Sequence, residues 1–107
     1  MGISEKQLKI KVESGAIGLL AQTFQALGDA SRLQIVWTLA HGEMNVGDIA
    51  KLLNMTQPAV SHHLRTLRAL RLVQVRKSGR TSFYRLDDDH IHKFLIEGFK
   101  HVEDFIA

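Results

Sequence analysis

Apolar residues recur at helical spacing along most of this chain. Ile17, Leu20, Ala21, Phe24 and Leu27 fall three or four apart, and Gly28 ends the run as a C-terminal stop. Asp29 suits the N-cap of a second helix, and Gly42 closes it. Its apolar positions, Leu33, Ile35, Val36, Trp37, Leu39 and Ala40, are dense enough to predict the buried centre of the fold. A short third helix opens at Asn45 or Val46, carries Val46, Ile49, Ala50, Leu52 and Leu53 as its apolar set, and stops at Asn54. Thr56 caps a fourth, in which Val60, Leu64 and Leu67 form a core stripe with Ser61, Arg65 and Arg68 opposite. Pro58 sits in its first turn, where a missing N–H costs nothing.

From Leu72 the helical period gives way to two-residue alternation. Leu72, Val73 and Val75, a turn at Lys77-Ser78-Gly79-Arg80, and Ser82 to Leu86 predict a β-hairpin with a basic tip. Asp87 and Asp88 then cap a last helix, with Ile91, Phe94, Leu95, Phe99, Val102 and Ile106 forming two apolar flanks around Gly98. Residues 1–12 show no clear period and are predicted to be loosely held. The order α-α-α-α-β-β-α, mainly α with a small β-hairpin, describes a winged helix-turn-helix in one domain over residues 1–107. A last helix this apolar needs something to pack on, which predicts a homodimer joined through the terminal helices.

Charge sharpens this picture through its placement. The net charge of the 107 residues is only +3, but between Ile49 and Leu86 there are eight Lys and Arg and no acid. In a helix-turn-helix the second helix enters the major groove of double-stranded DNA and the wing grips the backbone. Gln57, Ala59, Ser61 and His62 are thus the candidate base readers, and Arg65, Arg68, Lys77 and Arg80 the candidate phosphate contacts. His63, nearer the core stripe, reads as a packing or capping histidine and His41 as a surface one.

The rest of the chain has the opposite character. Six of the eleven acids and three of the six histidines lie from Asp87 onward, and there is no cysteine, so His, Asp and Glu are the strong metal ligands present. Asp88, His90, His101 and Asp104 are good donors for a borderline cation, but His90 and His101 are separated by about 16 Å along one helix. Two copies packed antiparallel would bring Asp88 and His90 of one against His101 and Asp104 of the other, in a four-coordinate shell suited to zinc. Asp87, Asp89, His92 and Glu97 are spare ligands, and Asp87, His92 or Glu97 could enlarge the shell toward octahedral for nickel. The same residues equally suit a plain role as N-capping aspartates and a histidine near a helix C-terminus, and spacing does not choose between the two. No apolar run approaches the roughly 18 residues that span a bilayer, and the chain reads as soluble and cytoplasmic, without a membrane partner.

Taken together, Phe24-Gln-Ala-Leu-Gly-Asp-Ala-Ser-Arg-Leu-Gln-Ile, Asn54-Met-Thr-Gln-Pro-Ala-Val-Ser-His-His-Leu-Arg-Thr-Leu, Leu72-Val and Gly79-Arg-Thr-Ser-Phe-Tyr-Arg-Leu resemble the ArsR/SmtB metalloregulatory winged-helix repressors, over roughly Phe24 to Asp104. The resemblance implies a metal site on the last helix at Asp88, His90 and His101, with Asp104 where relatives of this type carry His or Glu. It implies Zn2+ as effector, or Co2+ with Zn2+, and the spare ligands leave Ni2+ as a further alternative. It further implies an apo dimer that blocks transcription at an operator, metal that lowers DNA affinity, and a bond from the second ring nitrogen of His90 to a backbone carbonyl. The absence of cysteine excludes the thiolate-based sensors of that family. A family repressor answering a non-metal signal is the alternative. A metalloenzyme is not expected, because the sequence offers no activated nucleophile and no cleft-forming insertion.

Overall fold

The centre of the molecule is the place where three helices turn apolar faces away from water. In the computed structural model, which describes residues 2–106, Ile35 and Val36 of α3 (Ala30–Leu39) are 0% exposed, as are Ile49 of α4 (Val46–Leu53) and Val60, Leu64 and Leu67 of α5 (Gln57–Ala69). Met1 and Ala107, the ends of the domain predicted over 1–107, lie outside the described residues. Before this core come α1 (Glu5–Glu13) and α2 (Ala16–Leu27), and after it β2 (Val73–Ser78), β3 (Thr81–Leu86) and α6 (Asp89–Ile106). A two-residue strand, β1 (Met44–Asn45), precedes α4 and makes the sheet order β1-β3-β2.

The predicted order holds, with two additions. Residues predicted to be loosely held form α1: the Ser4 hydroxyl accepts from the Gln7 N–H at 3.1 Å and the Gln7 side chain accepts from the Ser4 N–H at 3.0 Å. This reciprocal cap organises a helix that buries none of its side chains, so hydrophobic periodicity gave no warning of it. Strand β1 exists only through its partner, pairing Met44 with Tyr84 and Asn45 with Phe83. The hairpin is also tighter than predicted. Ser78 pairs with Thr81, so the turn is Gly79-Arg80 alone, with Gly79 in the left-handed region at φ +65, and Lys77 and Ser78 belong to the strand.

Local chemistry sets the helix-turn-helix. Asn54 ends α4 in the left-handed conformation at φ +54, which Asn tolerates better than most side chains, and the Met55 N–H reaches back to Ala50 O at 2.9 Å. Thr56 then accepts the Ala59 N–H at 3.2 Å and starts α5. At the head of α3, Asp29 Oδ2 accepts the Arg32 N–H at 3.0 Å. That bond holds its carboxyl below the ordinary carboxylate value; burial opposes the shift, and the Arg32 and His63 side chains add to it.

Two apolar predictions come out differently. Leu52, assigned to the apolar set of α4, is 64% exposed, because α4 turns only Ile49 and Ala50 fully inward. In α6 only Leu95 is buried, while Phe94, Val102 and Ile106 face solvent along with Leu19, Leu20 and Phe24 of α2. Phe24 and Phe94 meet edge to face at 5.3 Å, joining the two helices into one uncovered apolar surface. No helix of the described residues is long and apolar enough to cross a membrane.

Leu64→Ala should lower unfolding free energy by about 2–5 kcal/mol in denaturant titrations, against less than about 0.5 for Leu52→Ala. Asp29→Asn keeps an acceptor but removes the charge. Because the folded carboxyl is the depressed one, its advantage exists at neutral pH and is lost as pH falls through the folded value. The variant should therefore melt below wild type at neutral pH, with the gap closing toward acid.

Candidate nucleic-acid interface and metal centre

With Val60, Leu64 and Leu67 turned inward, α5 leaves its other side uncovered. Gln57, His62, Arg65 and Arg68 are exposed there, whereas Ala59 and Ser61 are half-buried on its flanks. On the wing, Lys77 and Arg80 are both exposed, Arg80 within the two-residue turn itself. The wing is tied to the core at its base, where Leu72 and Val73 are buried and the Asp87 N–H donates to Leu72 O at 3.0 Å.

The basic block is not uniformly free, and its chemistry depends on a residue outside it. Glu43 Oε1 lies 2.7 Å from Arg76 Nη2 and Glu43 Oε2 lies 4.0 Å from Arg85 Nη1. Arg85 also donates to Gln74 Oε1 at 2.6 Å, and Gln74 donates to Asp87 Oδ1 at 2.6 Å. Arg76 packs over the Phe83 ring, 4.7 Å from its centroid. The acid-free run in the sequence therefore overstates the free charge. Among the described residues, Lys51, Arg65, Arg68, Arg71, Lys77 and Arg80 pair with no acid. Neither Glu43 nor its position before β1 marks it in the sequence as the counter-charge of the wing. His63 faces inward, its Nδ1 buried without a hydrogen-bond partner among the described residues, in keeping with a packing role. His41 is exposed, its Nδ1 2.9 Å from Trp37 O and its ring edge-on to Trp37.

The acidic end divides into two groups. Asp88 Oδ1 accepts the His90 N–H at 2.9 Å, and Asp88 Oδ2 stands 3.3 Å from His90 Nδ1. Nδ1 of the His90 ring therefore stands beside a carboxylate. His101 and Asp104 are exposed near the other end of α6, where the His101 ring meets Phe105 edge-on at 5.0 Å. Among the described residues, no three His, Asp or Glu side chains gather into a metal-binding group. One chain offers two separated pairs of donors, His90 beside Asp88 at one end of α6 and His101 and Asp104, three residues apart, at the other. That donor set fits zinc, cobalt or nickel in chemistry and lacks only convergence. Of the spare ligands, Asp87 is engaged by Gln74, Glu97 lies 3.4 Å from Lys100, and the His92 ring lies tilted beside Trp37, centroids 6.2 Å apart.

A capped helix pair with a left-handed turn, a hairpin wing anchored under it, and unpaired cations on the outer face of the second helix define a winged helix-turn-helix DNA-binding domain. Its family follows from comparison with known proteins: the chain belongs to the arsR family of bacterial regulatory proteins, whose pattern matches residues 29–75. The HTH-type transcriptional regulator NmtR of Mycobacterium tuberculosis is 42% identical over 92 residues, 86% of this chain and 77% of that protein. KmtR, an HTH-type transcriptional regulator of the same organism, is 40% identical over 79% of this chain. The match spans 65% of KmtR, just under two thirds of its length. Among solved structures, a homodimeric winged helix-turn-helix DNA-binding domain from Mycobacterium bovis superposes with a TM-score of 0.81 at 25% identity, covering 98% of this chain and 92% of that one.

Removing the counter-charge should expose its role. Glu43→Gln should tighten binding to a polyanion such as heparin and steepen its salt dependence, because Arg76 and Arg85 are released. Its effect on stability should stay within about 1 kcal/mol, as befits exposed ion pairs.

Proposed function

We propose that this protein is a dimeric, metal-responsive transcriptional repressor. Gln57, Ala59, Ser61 and His62 read base edges in the major groove of operator DNA, and Arg65, Arg68, Lys77 and Arg80 hold phosphates on either side. The whole chain is one winged-helix domain whose terminal helices form the dimer contact, with the uncovered apolar surface of α2 and α6 as its core. Zinc, with cobalt or nickel as alternatives, is held between copies by Asp88 and His90 of one and His101 and Asp104 of the other.

The observation that carries this reading is the distribution of donors on α6. Two complementary pairs sit at opposite ends of one exposed helix, which also presents Phe94, Val102 and Ile106 to solvent. An antiparallel second copy covers the apolar side chains and completes two identical sites by symmetry. Support for the second copy comes from the homodimeric state of the Mycobacterium bovis neighbour. Bound metal favours a dimer form with weaker hold on DNA, and the coupling is reciprocal, typically about 1–3 kcal/mol.

Subunit mixing tests the arrangement. His90→Ala and His101→Ala homodimers should each lose zinc binding at this site. A mixed dimer of the two should regain one site, made from the intact His90 of one copy and the intact His101 of the other. Zinc binding that survives both substitutions would leave a repressor answering some other signal, and binding lost in both and unrestored by mixing would place the site within one chain.

A further inference from the structure

Beside the outer face of α5 lies a cleft of which the function above uses only Arg65. It is lined by Gln22 and Gln25 of α2, Arg32 of α3 and Arg65 of α5, together with Ala69 and Leu70. Its volume is about 550 Å³, and among the described residues no carboxylate lines it. Two guanidinium groups thus share one open concavity without an acid between them.

Arg32 is held in place there. Its Nε donates to Ala26 O at the end of α2 at 2.8 Å, which orients the planar group and leaves its two Nη nitrogens for another acceptor. Asp29, whose field Arg32 shares, directs Oδ2 to the Arg32 backbone N–H, and no ion pair joins the two side chains among the described residues. Arg32 is half-buried, and Gln22, Gln25 and Arg65 are exposed at the rim, where amide and guanidinium N–H groups can converge on one oxyanion. Arg65 belongs both to this cleft and to the outer face of α5, so the cleft opens beside the DNA-facing surface.

We propose that the cleft is a phosphate-binding site and that it takes a backbone phosphate of the duplex lying against α5, adding Arg32, Gln22 and Gln25 to the DNA interface. This rests on the DNA-binding reading given above. A phosphate there lies on the α2 side of the reading helix, away from the wing, so the helix is gripped from both flanks. Such a contact positions the helix without reading sequence.

The test is duplex binding at graded salt by wild type, Arg32→Gln and Gln25→Glu, with Arg68→Ala as the control on α5. Gln25→Glu leaves the Arg32 to Ala26 bond in place, so it separates loss of phosphate from loss of structure. Both cleft variants should weaken binding on the order of fivefold, and Arg32→Gln should flatten the slope of log K against log salt by about 0.9. If both match wild type in affinity and slope while Arg68→Ala weakens binding, the cleft proposal is wrong and the DNA-binding reading stands. If wild type binds no duplex, that reading fails, and the cleft is decided by inorganic phosphate alone. A rise in melting temperature with phosphate that Gln25→Glu abolishes keeps it as a site for a free phosphate group; no rise overturns it.

Discussion

The structure depends on one constraint: α5 must be dry along one stripe and uncovered along the other. Val60, Leu64 and Leu67 are fully out of water against Ile35, Val36 and Ile49, each such side chain contributing about 1.5–3 kcal/mol through burial. That anchoring orients the opposite face toward solvent and denies it any packing partner of its own. The Asn54 turn and the Thr56 cap set the angle at which α5 leaves α4, and the wing roots into the same core through Leu72 and Val73. A change that loosens the stripe would blur every contact made from the other side.

Charge is then distributed so that the outer face stays electropositive. Glu43 reaches from before β1 to hold Arg76 and Arg85 on the sheet, and the cations left without an acid partner include Arg65, Arg68, Lys77 and Arg80, on the helix face and wing tip. Asp87 marks the other boundary, joining β2 through Gln74 and starting the acidic segment that leads into α6. That helix carries its donor pairs too far apart for one chain to use together, so any metal chemistry it performs requires a second copy. On the proposed reading, dimerisation and metal sensing are one problem, because the helix that would bury its apolar side chains in the partner is the helix that would share the ion.

The sequence revealed the elements that bury side chains and concealed those that do not. Helices α2 to α6 announced themselves by apolar spacing, and their caps by Asp29, Asn45, Asn54 and Thr56. Helix α1 was readable only from its capping box, Ser4 with Gln7, since its apolar side chains stay in water. Strand β1 follows from pairing with Tyr84 and Phe83, a contact across some forty residues that no local pattern encodes. At the candidate interface the basic residues were legible one by one, but not which of them Glu43 would occupy, nor that Ala59 and Ser61 would sit on the flanks of α5. The donors on α6 were legible as types and spacing, and the described residues of one chain do not bring them together.

The central claim is that α5 and the wing form the output of a switch whose input is α6. Its most direct test is fluorescence anisotropy of a duplex from the protein's own promoter, titrated with the metal-free protein and again with zinc. The account predicts binding by the metal-free form, weakening of about 5–150-fold with zinc, and no weakening in His101→Ala. Affinity that zinc leaves unchanged or strengthens would contradict it.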